Sequence, residues 1–316
     1  MFLILLGGKK ALIDDLAILT GVVLNGAHGI YDVHTNNGVL RCTLRGKLKK
    51  AFAQAQSAKA LSKARPRYDK LISSASRLER IEKRDSSVVA LPTRLSVGDY
   101  VKLRRLDGST GLIEEILPRQ SVLSRKDAGS TAKKTIQQTL LANLDQVVVV
   151  LAIAQPQPHF GFLDRYLAIC EFAQLSVFIC LNKADLAYEP YVAEAAELYQ
   201  KLGYGVLWTS VQTNQGIEDL RVLLNDHTTL FTGPSGVGKS SLVNALEPEM
   251  ALRTNMISEA TGKGRHTTTG SQLYPLSSGG WLADSAGIRG LAAWNIPAEE
   301  LVQCFVEFRP YLDECA

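Results

Sequence analysis

The sequence predicts an N-terminal β-barrel of OB type joined to an α/β domain whose parallel sheet carries helices on both faces. Three observations carry this expectation. Short β-branched runs separated by Asn-Gly and His-Gly turn signals fill residues 18–45. From Val147 onward, apolar strand patterns alternate with amphipathic helical ones. A glycine-rich loop at Gly233–Ser241 stands between a strand pattern and a helix pattern.

The chain of 316 residues is long enough for two domains, and 46% apolar with 21% charged residues is ordinary globular composition. The longest apolar stretches, Phe2–Leu6 and Val147–Ala154, fall short of the roughly 20 residues that cross a bilayer, so no membrane partner is expected. The start has no basic region ahead of its apolar run and no small-residue cleavage site, which argues against a signal peptide. Five cysteines, odd in number and never paired as CxxC, suit a reducing compartment. The expectation is a cytoplasmic monomer.

Along the chain, residues 1–17 have no assignment. Residues 18–117 form the barrel, completed by strands at Gly98–Arg104 and Gly111–Ile116; any other small β-domain remains open. Within it lies a basic insertion, 46–84, read as helix or mobile loop interrupted at Pro66. From Arg45 to Arg84, thirteen Lys or Arg stand against three acids, although the whole chain carries only +4. Such a segment suits a polyanion such as RNA, and a solvated linker is the alternative. The polar stretch 118–139 reads as a linker. Residues 140–296 form the α/β domain: strands at Val147–Ile153, Val177–Leu181, Val206–Ser210 and Thr228–Thr232, with helices at Leu163–Phe172, Val192–Leu202 and Ile217–Leu224. Residues 297–316 read as the start of a truncated C-terminal domain.

Ligands of open parallel sheets bind at the carboxyl ends of the strands, so the loops there are where chemistry is sought. After Thr228–Thr232 come Gly233, Pro234, Ser235, Gly236, Val237, Gly238, Lys239, Ser240 and Ser241, then an apolar helix start. This is GxxxxGK[ST] in its required setting. The backbone NH groups wrap phosphate, Lys239 reaches the β and γ oxygens, and the Ser240 hydroxyl ligates Mg2+. At the end of the strand Val177–Leu181 stand Asn182, Lys183, Ala184 and Asp185. There an aspartate accepts from guanine N1 and its exocyclic amine while Lys183 covers the base. The alternative is a strand-exit turn with Asp185 as a helix cap. Thr209-Ser210-Val211, ending the next strand, can present backbone groups to the base. Asp284-Ser285-Ala286-Gly287 is a DxxG pattern, with Asp284 for Mg2+ through water and the Gly287 NH for the γ-phosphate. Gly264–Thr269 reads as a loop that orders around the γ-phosphate, with Thr268 completing the magnesium shell. His266 is either an exposed polar residue or the group that positions the attacking water.

Conventional small GTPases run P-loop, switch threonine, DxxG, NKxD. Here NKxD at 182 precedes the P-loop at 233 and DxxG at 284, a circular permutation. That order, with NKAD, GPSGVGKSS, GRHTTT and DSAG behind a β-rich domain, resembles the RsgA (YjeQ) family of small-ribosomal-subunit biogenesis GTPases. The resemblance implies an OB-fold that contacts 16S-type rRNA and a permuted domain that hydrolyses GTP to GDP when the small (30S) subunit stimulates it, late in that subunit's maturation. It places guanine recognition on Asn182, Lys183 and Asp185, and phosphate binding on Gly233–Ser241. It also makes His266 the better candidate for water positioning, because apolar Ile288 follows DxxG where many GTPases have glutamine. It further implies a zinc module using Cys, Cys, His and Cys, beginning near Cys315. With Ala316 last, zinc is expected from the family but not closable here. The competing reading is an RNA-binding protein whose P-loop is regulatory or nearly inactive.

Overall fold

The computed structural model describes residues 18–61, 94–126, 137–248, 272–283 and 296–312. They divide into two compact units, one running to Leu95 and including Asp99–Arg119, the other made of Ser96–Gly98 and the chain from Gln120.

The first unit is a closed barrel in the order β1-β2-β3-β5-β4. Its strands are β1 (Ile18–Ala27), β2 (Ile30–Thr35), β3 (Gly38–Leu44), β4 (Tyr100–Arg105) and β5 (Thr110–Ile116). His28-Gly29 turns β1 into β2 with positive φ at both residues (54° and 82°), the primed geometry whose twist matches the strands it joins. Alternation then sorts the side chains. On β3, Leu40, Cys42 and Leu44 point inward while Val39, Arg41 and Thr43 face out. Val23, Val33, Val101, Leu103 and Ile113 complete a core that excludes water, each contributing about 1.5–3 kcal/mol by burial. The segment read as helix or loop is helical over α1 (Gly46–Leu61), and Leu48 and Phe52 anchor it to the barrel core. Pro66 and the rest of the basic insertion lie outside the described residues.

In the second unit, residues 120–142, largely read as linker, carry an antiparallel pair, β6 (Val122–Lys126) and β7 (Gln137–Ala142). The polar composition hid a short apolar alternation: Leu123 and Leu141 are register partners, and both are buried. The main sheet has the order β10-β9-β8-β11-β13-β12. Its strands are β8 (Gln146–Ala152), β9 (Ser176–Asn182), β10 (Gly205–Thr209), β11 (Thr228–Thr232), β12 (Leu273–Pro275) and β13 (Trp281–Ala283). All neighbours are parallel except β12, an antiparallel edge strand absent from the sequence reading. Helices α2 (Phe160–Ala173), α3 (Pro190–Lys201), α4 (Ile217–Leu224) and α5 (Lys239–Leu246) connect them. Val148, Val150 and Ala152 pack with α4 and α5 on one face, and the alternate residues of β8 face the other way. Successive strands move outward from β8 to β10, and then β11 returns to the far side of β8. This reversal is the topological switch point at which such sheets open a ligand crevice.

Near the C-terminus, α6 (Ala298–Leu301) leads into two 3-10 turns, Val302–Cys304 and Val306–Tyr311. Arg309 Nη2 meets Glu171 Oε2 at 2.6 Å, tying this segment to the end of α2.

Candidate nucleotide site

The loop from β11 to α5 has a backbone that side chains would obstruct. Gly233 has φ +148°, and a Cβ there would lie 2.1 Å from the Val150 carbonyl oxygen. Gly238 has φ +95°, and its Cβ would lie 2.3 Å from Asn182 Nδ2. Only glycine lets the chain wrap this closely. Lys239 opens α5, and its ammonium donates to the carbonyls of Gly233 and Pro234 at 2.8 and 2.6 Å. The cation is therefore drawn across the mouth of the loop, beside the NH groups of a helix start, an arrangement that favours an anion. Val237 is buried and Gly238 caps α5 in the left-handed conformation.

Asn182 ends β9 and is 2% exposed. Its Nδ2 donates to the Val237 carbonyl at 2.8 Å, and its Oδ1 accepts from Thr209 Oγ1 at 3.1 Å. Thr209 Oγ1 also lies 3.2 Å from Cys180 Sγ. One buried amide thus joins the loops after β9, β10 and β11. Lys183 follows with φ +65°, an uncommon conformation for a non-glycine residue, and its ammonium donates to the Gln155 carbonyl in the loop after β8. The Asp185 carboxylate accepts from Ser210 Oγ at 2.5 Å. Ser210 in turn accepts from the Thr213 NH at 3.2 Å, and the Ala184 NH donates to the Thr209 carbonyl at 3.0 Å. A carboxylate anchored on one side by a hydroxyl keeps lone pairs for two further donors.

The residues expected at the site therefore fall into two groups. Asn182, Lys183, Ala184, Asp185, Ser210 and Gly233–Ser241 lie on loops at the carboxyl ends of β9, β10 and β11, linked by the bonds above. Ser210 enters through its hydroxyl on Asp185, where the sequence suggested its backbone. His266, Thr268, Asp284, Gly287 and Cys315, with Ser285, Ala286 and Ile288, lie outside the described residues. Cys180 and Gln155 were not singled out as site residues, and Thr209 was named only for its backbone, whereas its hydroxyl holds Asn182. Their signal is weak because they are ordinary strand and loop residues whose partners are distant in sequence.

Hydroxyl and carboxylate oxygens are the hard donors that magnesium takes, which fits the proposed set of Ser240, Thr268 and Asp284. Ser240, in the first turn of α5, is the one among the described residues. Among the described residues no group of three or more His, Cys, Asp or Glu side chains is placed to hold a metal ion. Cys304 is a free thiol whose Sγ donates to the Glu300 carbonyl at 3.3 Å. Likewise, among the described residues no helix is long and apolar enough to cross a membrane.

Comparison with known proteins gives concordant matches. The RsgA GTPase family model matches residues 116–294. The small ribosomal subunit biogenesis GTPase RsgA of Gemmatimonas aurantiaca is 38% identical over 299 residues, covering 94% of this chain and 84% of that protein. Among solved structures, YjeQ from Thermotoga maritima superposes with a TM-score of 0.60 at 27% identity, over 92% of this chain and 83% of the other. YloQ, a circularly permuted GTPase, gives 0.62 at 24% identity over 98% and 84%, a likeness of fold.

Proposed function

The chain belongs to the RsgA GTPase family, and from that premise we propose that it hydrolyses GTP in response to the small ribosomal subunit during that subunit's late maturation. The observation that carries the nucleotide part is the Asn182 amide, which binds the phosphate loop to the loop bearing Asp185. Base recognition and phosphate binding are thereby held in one frame. Asp185, oriented by Ser210, accepts the two guanine donors, and adenine offers no such pair. Lys183 covers the base. The Gly233–Ser241 backbone and Lys239 hold the phosphates, with Lys239 exchanging its carbonyl partners for phosphate oxygens. Ser240, Thr268 and Asp284 would hold magnesium, which would supply positive charge to offset that of the phosphates. The Gly287 NH would meet the γ-phosphate, and His266 would orient the attacking water.

The barrel, residues 18–117, contacts rRNA, aided by the excess positive charge from Arg45 to Arg84. The protein works as a cytoplasmic monomer.

The test of the base assignment is equilibrium titration of the full chain. GTP should bind far more tightly than ATP. Asp185→Asn should lose about 3 kcal/mol of GTP affinity, roughly a hundredfold, because a charge-assisted pair is replaced by an amide that must also donate. The same variant should gain affinity for xanthosine triphosphate. Equal affinity of the parent for ATP and GTP would refute the assignment.

A further inference from the structure

The arginines of the barrel unit are engaged in two ways. Arg119 is fully paired: its Nε and Nη2 donate to Asp99 Oδ1 and Oδ2 at 2.7 and 2.8 Å, and the two side chains are 8% and 0% exposed. That two-pronged geometry satisfies both ions. Arg45 and Arg104 are engaged differently. Each reaches the same oxygen, Glu114 Oε1, through a single terminal nitrogen, at 3.3 and 3.1 Å. Their side chains are 54% and 41% exposed against 15% for Glu114, and Arg104 Nε is buried with no hydrogen-bond partner among the described residues. One carboxylate oxygen faces two guanidinium ions and completes neither fork.

The strand register shows what surrounds this pair. Leu44 aligns with Ile113 and Arg104 with Leu112, so the inward residues of β3, β5 and β4 fill the core. The outer face then carries Arg41, Lys102 and Arg104, with Arg45 at the exit of β3. Exposed Lys47, Lys49 and Lys50 follow at once in the start of α1. Against these cations stand Glu114, Glu115 on Lys102 at 2.9 Å, and Asp32 opposite Arg41 in register. The strand face with Arg45 thus carries four cations against these three acids, and the lysines of α1 raise the cations to seven.

We propose that this outer face of β3–β5–β4 is the rRNA-contacting surface of the barrel, and that Arg45 and Arg104 clamp one backbone phosphate in the place Glu114 Oε1 occupies in the free protein. The proposal rests on the small-subunit reading above. A phosphate presents several oxygens to two guanidinium forks, where Glu114 presents one. Glu114 is the more buried partner, so its release carries a desolvation cost, and the condensed counterions set free by each phosphate engaged offset it. Glu114 thus acts as an internal competitor that keeps both arginines poised in the absence of RNA.

The test measures binding of the full chain to purified small subunits and to a 16S rRNA transcript across a salt series. The Arg45→Gln/Arg104→Gln variant should bind more weakly, with a log–log salt slope shallower by about 0.7–0.9 for each lost phosphate contact. Glu114→Gln should act in the opposite direction, binding the transcript about threefold or more tightly, because a competing charge is removed. A result in which the parent binds, the double variant keeps the parent's slope and Glu114→Gln binds no better would overturn the proposal while leaving the small-subunit reading intact. If polyglutamate competes as well as the transcript does, the face belongs to an acidic protein partner and the proposal fails. A parent that binds neither subunits nor transcript defeats the reading and the proposal together.

Discussion

Asn182 Nδ2 donates to the Val237 carbonyl while Oδ1 accepts from Thr209, so the identity of one side-chain atom sets the relation of two loops. In Asn182→Asp an acceptor oxygen would face that carbonyl, and burial forbids water from relieving the clash of lone pairs. GTP affinity should fall by about 2 kcal/mol or more in a titration, and an unchanged affinity would show that the loops hold their places without this amide. Gly238→Ala meets the same atom from the other side, since its Cβ would lie 2.3 Å from Asn182 Nδ2. It should damage binding of GDP and GTP alike. His266→Ala should behave differently: subunit-stimulated turnover drops roughly a hundredfold while GTP affinity is nearly kept, because the loss is confined to the water-orienting step. A stimulated rate within about twofold of the parent would move that role to Thr268 or to the ribosome. The glycines, Lys239, Asn182 and Asp185 were legible in the sequence because their chemistry depends on short, fixed spacings. The side-chain bond of Thr209 and the role of Gln155 were not, because these residues lie 27 and 28 residues from the side chains they hold, and no local pattern announces a partner at that distance.

At the level of elements, the alternating strands and helices from β8 to α5 were legible from apolar periodicity, and so were the barrel strands with their Gly turns. The β6–β7 pair escaped because its pattern is short and its ends are polar. Leu141 is fully buried there, so Leu141→Ala should cost about 3 kcal/mol in a denaturant melt. A cost under about 0.5 kcal/mol would mean that the segment behaves as a solvated linker. The edge strand β12 has only three residues, Leu273–Pro275, too few to show a period. Its turn into β13 is held by Glu247 beyond α5, whose Oε1 accepts from the Ser277 NH and Oγ, both at 2.8 Å. Glu247→Ala should raise hydrogen exchange in the turn, 276–280, while Leu230 on β11 remains protected. This turn helps fix the register of β13, whose last residue, Ala283, immediately precedes the DxxG motif in the sequence.

For the whole molecule, the permuted motif order is tolerated because the loops after β9, β10 and β11 meet at one sheet edge whatever the order of the strands, while Asn225–His227 alone bridge α4 to β11. Burial has a global consequence for pH. Cys170 and Cys180 are pushed up to about 12, and Cys42 to about 11, chiefly by desolvation of the thiolate. The native state thus holds these protons after the unfolded chain, with its ordinary thiols near 9, has begun to lose them. Their contribution to stability is complete below about pH 9 and declines as the pH rises toward about 12, so the urea midpoint should fall between about pH 8 and pH 10.5. A constant midpoint would mean that the thiols ionise as readily in the folded protein. The central claim, that one nucleotide site hydrolyses GTP under control of the small ribosomal subunit, is tested most directly by GTP turnover of the full chain with and without purified small subunits, alongside Lys239→Ala. The subunits should raise turnover by at least about tenfold with GTP and leave ATP turnover unchanged, and Lys239→Ala should lose both binding and stimulation. GTP turnover that does not respond to the subunits, or that persists in Lys239→Ala, would contradict it.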